Sequence, residues 1–490
     1  MSVVKGLLAT ALAFGFISLM GCSDDGDTAS DTTAPVISNV SHTDNEKVIG
    51  SRTITFSADV ADESSLTVTV THNGNPVSAT SSGSTYSASI TLADRTNNTV
   101  VINADDGTNT TSQSVTLNYP FLAFTNGQAA SVVIGQLNFN SFGANQGGAV
   151  DSNTLDSPYD VKIINDRLYI ADRNNNRVLG FNSIPTSNNA NADFVIGQDS
   201  LTTNAGGFAN NQLDRPRNIE FGGGDFFTSH DSPGRVHTWS SIPTSNINAE
   251  IVFGQSGFVN GTSACTQDKT GGTIAGVEYA DGKILVTDRT NNRVLVWNSV
   301  PTTNGQAADL VIGQSTFELC AHNDKDQNNV TDPDLEPNAS TLYRPQTVWS
   351  DGNRVIIVDE SNTRVLIWNS FPTVNFQAAD IVLGQSNFVS NIVPINTPTP
   401  ITLKPYAAFS NGNQIFVTDR FGDRVMIWDS WPTENNQPAD RVLGAIDFYN
   451  DKTGLGGNEL LRGPRLMDTQ DNKLVISDPQ YDRILVFEAP

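Results

Sequence analysis

From residue 120 onward the apolar positions of this chain fall in short runs of Val, Ile, Leu and aromatic residues. Gly, Asn, Asp and Pro clusters break the runs, and no helical period is sustained. One stretch displays the unit: GVEYA (Gly276–Ala280), KILVTD (Lys283–Asp288), NRVLVWNS (Asn292–Ser299) and ADLVIGQ (Ala308–Gln314). Runs of this length bounded by turn-forming residues predict four strands. The third run recurs as RVLGFNS, RVHTWSS, RVLIWNS and RVMIWDS, and a truncated copy, RILVFEAP, ends the chain. Its arginines are Arg177, Arg235, Arg293, Arg364, Arg424 and Arg483, spaced by 58, 58, 71, 60 and 59 residues. A four-stranded unit repeated six times predicts an all-β, six-bladed β-propeller.

The ends of the repeat array predict how the ring closes. The sixth copy stops after its third strand. Ahead of the first copy stands an orphan, GQAASVVIGQ (Gly127–Gln136), which matches GQAADLVIGQ (Gly305–Gln314) at eight of ten positions. The orphan therefore supplies the fourth strand of the last blade, a three-plus-one closure that hides two strand edges.

These residues also carry a family resemblance. LYIADRNNNRV (Leu168–Val178), ILVTDRTNNRV (Ile284–Val294) and IFVTDRFGDRV (Ile415–Val425) resemble NHL repeats, in which a strand ends in Asp and an Asn-rich turn leads to Arg. The resemblance spans roughly residues 124–490, with a connection of the NSIPTSNNANAD type that lengthens each unit and resembles a bacterial secreted subclass. It implies a binding platform, although some relatives are lyases or hydrolases, so it does not fix an activity.

The front of the chain is organised differently. Residues 1–22, MSVVKGLLATALAFGFISLMGC, read as a signal peptide ending in a motif that resembles a bacterial lipobox, with Cys22 as the lipidated residue. Ser23, where Asp would retain the protein at the inner membrane, implies an outer-membrane lipoprotein facing the periplasm or the cell surface, with the membrane engaged through its lipid. Residues 23–33 form a polar tether. Residues 34–119 alternate polar and apolar positions in TITFSADV, SLTVTVTH, YSASITL, TVVINADD and SVTLNY, predicting a small β-sandwich that resembles bacterial immunoglobulin-like modules. It serves as a spacer or as an adhesive module. Residues 120–490 are the propeller.

A net charge of −24 and a pI near 4.4 exclude nucleic acid as a partner, because the basic residues are scattered singly. Once Cys22 is set aside, Cys265 and Cys320 remain, in equivalent loops of successive blades, and the oxidising compartment predicts a disulfide.

The repeats separate scaffold from site. Asp172, Asp288, Asp359, Asp419 and Asp478 stand five residues before the repeated Arg and are expected to pair with it; Phe181, Trp239, Trp297, Trp368, Trp428 and Phe487, four after it, are expected in the core. In the second copy His230 takes the Asp position. It is either a titratable site residue or drift, with Asp231 taking over the pairing. Fourteen residues before the Asp position five copies carry Pro, followed around the ring by Tyr159, Arg217, Ala275, Gln346, Tyr406 and Arg465. Here the scaffold is fixed and the side chain varies, as at a ligand-facing rim, and two Arg with two Tyr suit a carboxylate, a sugar or a polar peptide group.

An oversized loop, residues 318–341, places Asp324, Asp326, Asn328 and Asp332 with the alternation of a calcium loop, but Leu335 stands where the closing Glu belongs. It is read as a calcium site or as a solvated acidic loop. This loop, the cysteines, His230 and the rim are expected on one face. No cofactor is called for, and the five histidines form no metal-ligand spacing. The leading reading is a non-catalytic platform for a protein, peptide or glycan. A lyase or hydrolase with channel-bound calcium, and a structural part of an envelope or matrix assembly, are the alternatives.

Overall fold

The computed structural model describes residues 31–48, 52–93, 97–231, 233–259, 261–394, 398–420, 422–449 and 457–490. The expected signal peptide (1–22), its Cys22 and most of the tether (23–33) lie outside them. The chain divides into two compact units, one built from the segments up to Ser41, Thr55–Ser89 and Val100–Ser114, the other from His42–Ile54, Ile90–Thr99 and Val115–Pro490.

The strands before residue 119 form two sheets. One orders Val36–Ser38, Thr53–Ala61, Thr85–Thr91 and Ala79–Ser82; the other orders Glu46–Lys47, Thr110–Asn118, Asn97–Asp105, Thr67–His72 and Asn75–Val77. Strict alternation gives each sheet one buried face: Phe56, Ala58 and Val60 in the first, Val100, Ile102 and Ala104 in the second.

Beyond residue 131 the chain forms six four-stranded antiparallel sheets, the blades of a propeller. Blade 1 runs through Pro158–Ile164, Arg167–Asp172, Arg177–Phe181 and Phe194–Ile196. Blades 2 to 5 repeat that order from Pro216, Ile274, Pro345 and Pro405, and blade 6 carries Met467–Gln470, Lys473–Asp478 and Arg483–Glu488. Its fourth strand is the orphan segment: Val132–Ile134 pairs antiparallel with Arg483–Glu488, Val133 opposite Leu485. The first strands of successive blades touch in order, and that of blade 6 touches that of blade 1, so the ring closes.

Each blade is fastened by the repeated arginine. Arg364 donates from Nε to Asp359 Oδ2 at 2.8 Å, from Nη1 to Phe388 O at 2.6 Å, and from Nη2 to Asn338 O and Thr341 O at 2.9 Å each. Asp359 in turn accepts from the Tyr343 backbone at 2.7 Å and from Asn362 at 2.8 Å. The Arg177–Asp172, Arg293–Asp288, Arg424–Asp419 and Arg483–Asp478 pairs repeat this at 2.8 to 2.9 Å, all fully buried. One planar fork thus ties a hairpin turn to two connecting loops, a task for which Arg suits better than Lys. The aromatic residues four positions later are buried, and Trp239, Trp297, Trp368 and Trp428 each donate the indole N–H to a loop carbonyl.

Blade 2 departs from the pattern. Among the described residues Arg235 has no carboxylate partner; its Nε reaches Pro233 O at 3.3 Å, its Nη1 meets Phe258 O, and its guanidinium lies over Phe208. Asp231 does not take over the pairing, because its side chain engages Arg173 and Arg217 instead. Cys265 and Cys320 are joined, with Cα atoms 6.4 Å apart. Among the described residues no helix is long and apolar enough to cross a membrane.

Candidate functional site

The residue after the Pro position is thrown out of the ladder by a β-bulge. In blade 1 Pro158 pairs with Asp172 and the next paired residue is Asp160, so Tyr159 is unpaired; Arg217, Gln346 and Tyr406 fall in the corresponding bulges of blades 2, 4 and 5. A bulge re-aims a side chain, here toward the channel axis. The residue just before the Pro adopts positive φ in three blades, at Ser157, Arg215 and Arg344, and in blade 6 Gly463 fills that place with φ 64°. Left-handed backbone at a non-glycine residue costs energy, and here it sets the direction in which the chain enters each bulge.

Tyr159, Arg217, Gln346, Tyr406 and Arg465 line one cavity of about 220 Å³ together with Arg289, Glu360 and Arg420. All six blades contribute to it. Arg289, Glu360 and Arg420 hold the position immediately after the hairpin-turn Asp of their blades, as Arg173 does in blade 1 and Asp231 after His230 in blade 2, so two rings of side chains meet at the mouth.

The charges at the mouth are ordered. Arg217 donates to Asp231 Oδ1 at 2.9 Å and to the Tyr406 hydroxyl at 3.0 Å, while Arg173 Nε donates to Asp231 Oδ2 at 3.1 Å. Arg289 donates to Glu360 Oε2 at 2.9 Å, and Arg420 lies 3.6 Å from Glu360 Oε1. Each carboxylate therefore bridges two arginines. Arg465 is the exception: its guanidinium sits 3.9 Å from the Tyr159 ring centre and 4.2 Å from that of Tyr406, whose rings meet edge to face, and it has no carboxylate partner among the described residues. Five guanidiniums against two carboxylates leave the mouth with a net charge of +3, in a chain of −24.

Electrostatics follow from this count. Burial would raise the Tyr406 phenol, but Arg465, Arg217 and Arg420 hold it below its ordinary value. Burial would likewise raise Asp231, yet Arg217 and Arg173 keep its carboxyl below the usual range. Hydrogen bonding is incomplete: among the described residues Nε of Arg217, Arg289 and Arg465 and Oε1 of Gln346 are buried without a partner, and Gln346 is only 2% exposed. Unsatisfied buried polar atoms are costly and call for an explanation.

His230 is not part of this cavity. It lies within blade 2, 1% exposed, its Nδ1 accepting from the Asp214 backbone at 3.4 Å and its Nε2 facing the Thr228 hydroxyl at 3.1 Å. Burial and Arg235 hold it down to about 3, so it is neutral, its ring tilted against that of His237 with the centres 4.2 Å apart. The position five before the repeated Arg belongs to the blade interior, which is why His230 and the rim part company.

The four candidate calcium ligands do not converge. Asp324 accepts from the backbone of Asn328 and Asn329, Asp332 from that of Lys325, and Asp326 from the Asn328 amide, so their oxygens cap the loop's own turns. Among the described residues only Asp31, Asp62 and Asp106 bring three ligand atoms within 4.8 Å. The loop does reach the neighbourhood of the mouth, since His322 stacks 3.8 Å from Tyr343, two residues ahead of Pro345.

Further along the first strands the channel carries carboxylates that the rim positions did not reveal. Asp160, Lys162, Glu220 and Glu278 line a narrow cavity of about 40 Å³. Lys162 donates to Glu220 at 2.7 Å; Asp160 accepts from Val161, Asn218 and Ile219; Asp468 accepts from Ile163 and Thr469. Burial pushes Asp160 up to about 8. These groups are spoken for by Lys162 and by peptide N–H groups.

The fold and this mouth define an all-β propeller with a cationic channel opening. No known protein family matches the chain, and no curated protein matches it. Solved structures do. An auxiliary nutrient binding protein from Bacteroides ovatus is 12% identical over 93% of this chain and 98% of its own, with a TM-score of 0.41. Another, from Bacteroides thetaiotaomicron, is 13% identical over 94% and 99%, with a TM-score of 0.39. The titin M3 domain is 16% identical over 18% and 96%, with a TM-score of 0.15.

Proposed function

We propose that this protein is a non-catalytic binding platform of the cell envelope, tethered by a lipid on Cys22, whose propeller captures an anionic group of a protein, peptide or glycan at the channel mouth. Arg465 carries the reading: it is the one guanidinium of the five at the mouth, among the described residues, without a carboxylate partner, and it is held between two tyrosine rings. The other four are tied into two arginine–carboxylate–arginine bridges that pre-set the geometry. The hydroxyls at the mouth are two phenols, and that of Tyr406 is already engaged by Arg217, an arrangement for holding charge rather than for nucleophilic attack.

Charge-assisted contacts contribute about 1.5–3 kcal/mol each. Arg465→Ala is therefore expected to weaken an anionic ligand roughly 10- to 100-fold, and affinity is expected to fall as salt is raised. Calorimetry on the purified chain at two salt concentrations checks both; an affinity indifferent to Arg465 and to salt would contradict the reading.

A second reading, a lyase or hydrolase with calcium in the channel, draws on Asp160, Glu220, Glu278 and Asp468. Lys162 on Glu220 and the peptide N–H groups on Asp160 and Asp468 stand against it. On the binding account the melting temperature is the same with calcium as with a chelator; a calcium-dependent rise lost in Glu278→Gln would favour the enzyme.

A further inference from the structure

We infer that the group taken by the mouth is a hydroxylated carboxylate of the uronic-acid type, either a free sugar acid or the end residue of a glycan; this rests on the anion-binding reading above. The argument is from the mixture of donors and acceptors. A mouth built for inorganic phosphate or sulfate needs donors alone. Here the donors of Arg217, Arg289, Arg420 and Arg465 are interleaved with acceptors, the Glu360 carboxylate that already bridges Arg289 and Arg420, and Gln346 Oε1, which has no partner among the described residues. Gln346 is 2% exposed, lines the cavity and has an oxygen with no hydrogen-bond partner, so a ligand that completes the site brings a donor as well as a negative charge. A sugar acid carries a carboxylate and hydroxyls on one small ring.

Size and lining narrow the class. A volume of about 220 Å³ lies below the roughly 300–1,000 Å³ of pockets that enclose a drug-sized ligand, so one residue enters. The lining is Tyr, Arg, Gln and Glu throughout, with no aliphatic side chain. An acidic peptide would present neighbouring side chains that find no apolar contact there, whereas the tyrosine rings and polar groups match a hydroxylated ring. The two internal bridges show how a carboxylate is held at this mouth: Asp231 and Glu360 each lie between two guanidiniums.

The test is calorimetry on the full chain with five probes: galacturonate, a galacturonate trisaccharide, a galactose trisaccharide, sulfate and a triglutamate peptide. A uronate is expected to bind at least roughly tenfold tighter than sulfate, the neutral trisaccharide or the peptide, and Arg465→Ala to remove the difference. Whichever of the monomer and the trisaccharide binds tighter names the source. Gln346→Leu is expected to weaken the uronate roughly tenfold while leaving sulfate unchanged, and sulfate binding doubles as the check that the variant is folded. Triglutamate binding through Arg465 without uronate binding would overturn the sugar-acid inference and leave the anion-binding reading standing. Equal binding of the neutral trisaccharide, or no binding of any acid, would overturn both.

Discussion

Arg364→Ala is expected to destabilise the propeller by about 3–5 kcal/mol, the cost of leaving one member of a buried ion pair without its partner. Asp359 would stay at 0% exposure with the Tyr343 backbone and Asn362 as its remaining donors, and the carbonyls of Phe388, Asn338 and Thr341 would lose theirs. The molecule holds its own control. Arg235 occupies the same position in blade 2 without a carboxylate partner among the described residues, so Arg235→Ala breaks carbonyl contacts but strands no paired charge. Denaturant midpoints for the two variants should therefore differ, with Arg364→Ala the more damaging by at least about 1–2 kcal/mol. Equal losses would mean that the carbonyl bonds, not the ion pair, fasten the blade.

The second large effect goes the other way. His237→Leu is expected to stabilise the protein by about 1–3 kcal/mol near neutral pH. His237 is fully buried, both of its ring nitrogens lack hydrogen-bond partners among the described residues, and the same position in the other blades is Leu179, Leu295, Leu366, Met426 or Leu485. Burial, His230 and Arg235 hold its pKa well below the ordinary 6.5. A histidine depressed in the folded state contributes stability that is present above its unfolded pKa and lost as pH falls. The unfolded chain takes up a proton below about pH 6.5 that the folded chain cannot, at about 1.4 kcal/mol per pH unit. The gain from His237→Leu should accordingly grow between pH 6.5 and pH 5. Melting curves across that range check it; a gain that shrinks with acidification would show that His237 is protonated in the folded protein.

Sequence and structure agree where a physical requirement repeats. Six blades need the same arginine, core aromatic and turn, and these recur in register with the Asp of the fork missing only in blade 2, so the ring and its closure by Val132–Ile134 are legible directly. The first ring of the mouth was also legible, because the fixed Pro and the variable residue after it mark a bulge. The second ring was not. Arg173, Arg289, Glu360 and Arg420 each follow a scaffold Asp, Asp231 follows His230 at the same place, and all look like ordinary turn residues. What marks them is that one position of the repeat carries only Arg, Asp or Glu in five blades, with Pro479 in the sixth. His230, expected on the face of the rim, lies inside blade 2 because the position five before the repeated Arg points into the blade. The channel carboxylates Glu220, Glu278 and Asp468 lie three residues past the rim residue of their blades, in strands whose direction toward the axis depends on the bulge before them. In the 318–341 loop the alternation of acidic residues reflects side chains capping their own backbone, a use that shares its spacing with calcium ligation.

The central claim is that the channel mouth holds an acid against Arg465. It is tested most directly by crystallography of the protein with a saturating galacturonate trisaccharide. The account predicts density for one sugar ring in the mouth, its carboxylate within hydrogen-bond distance of Arg465 and a hydroxyl facing Gln346. Sugar density elsewhere on the protein, with nothing bound at the mouth, would contradict it.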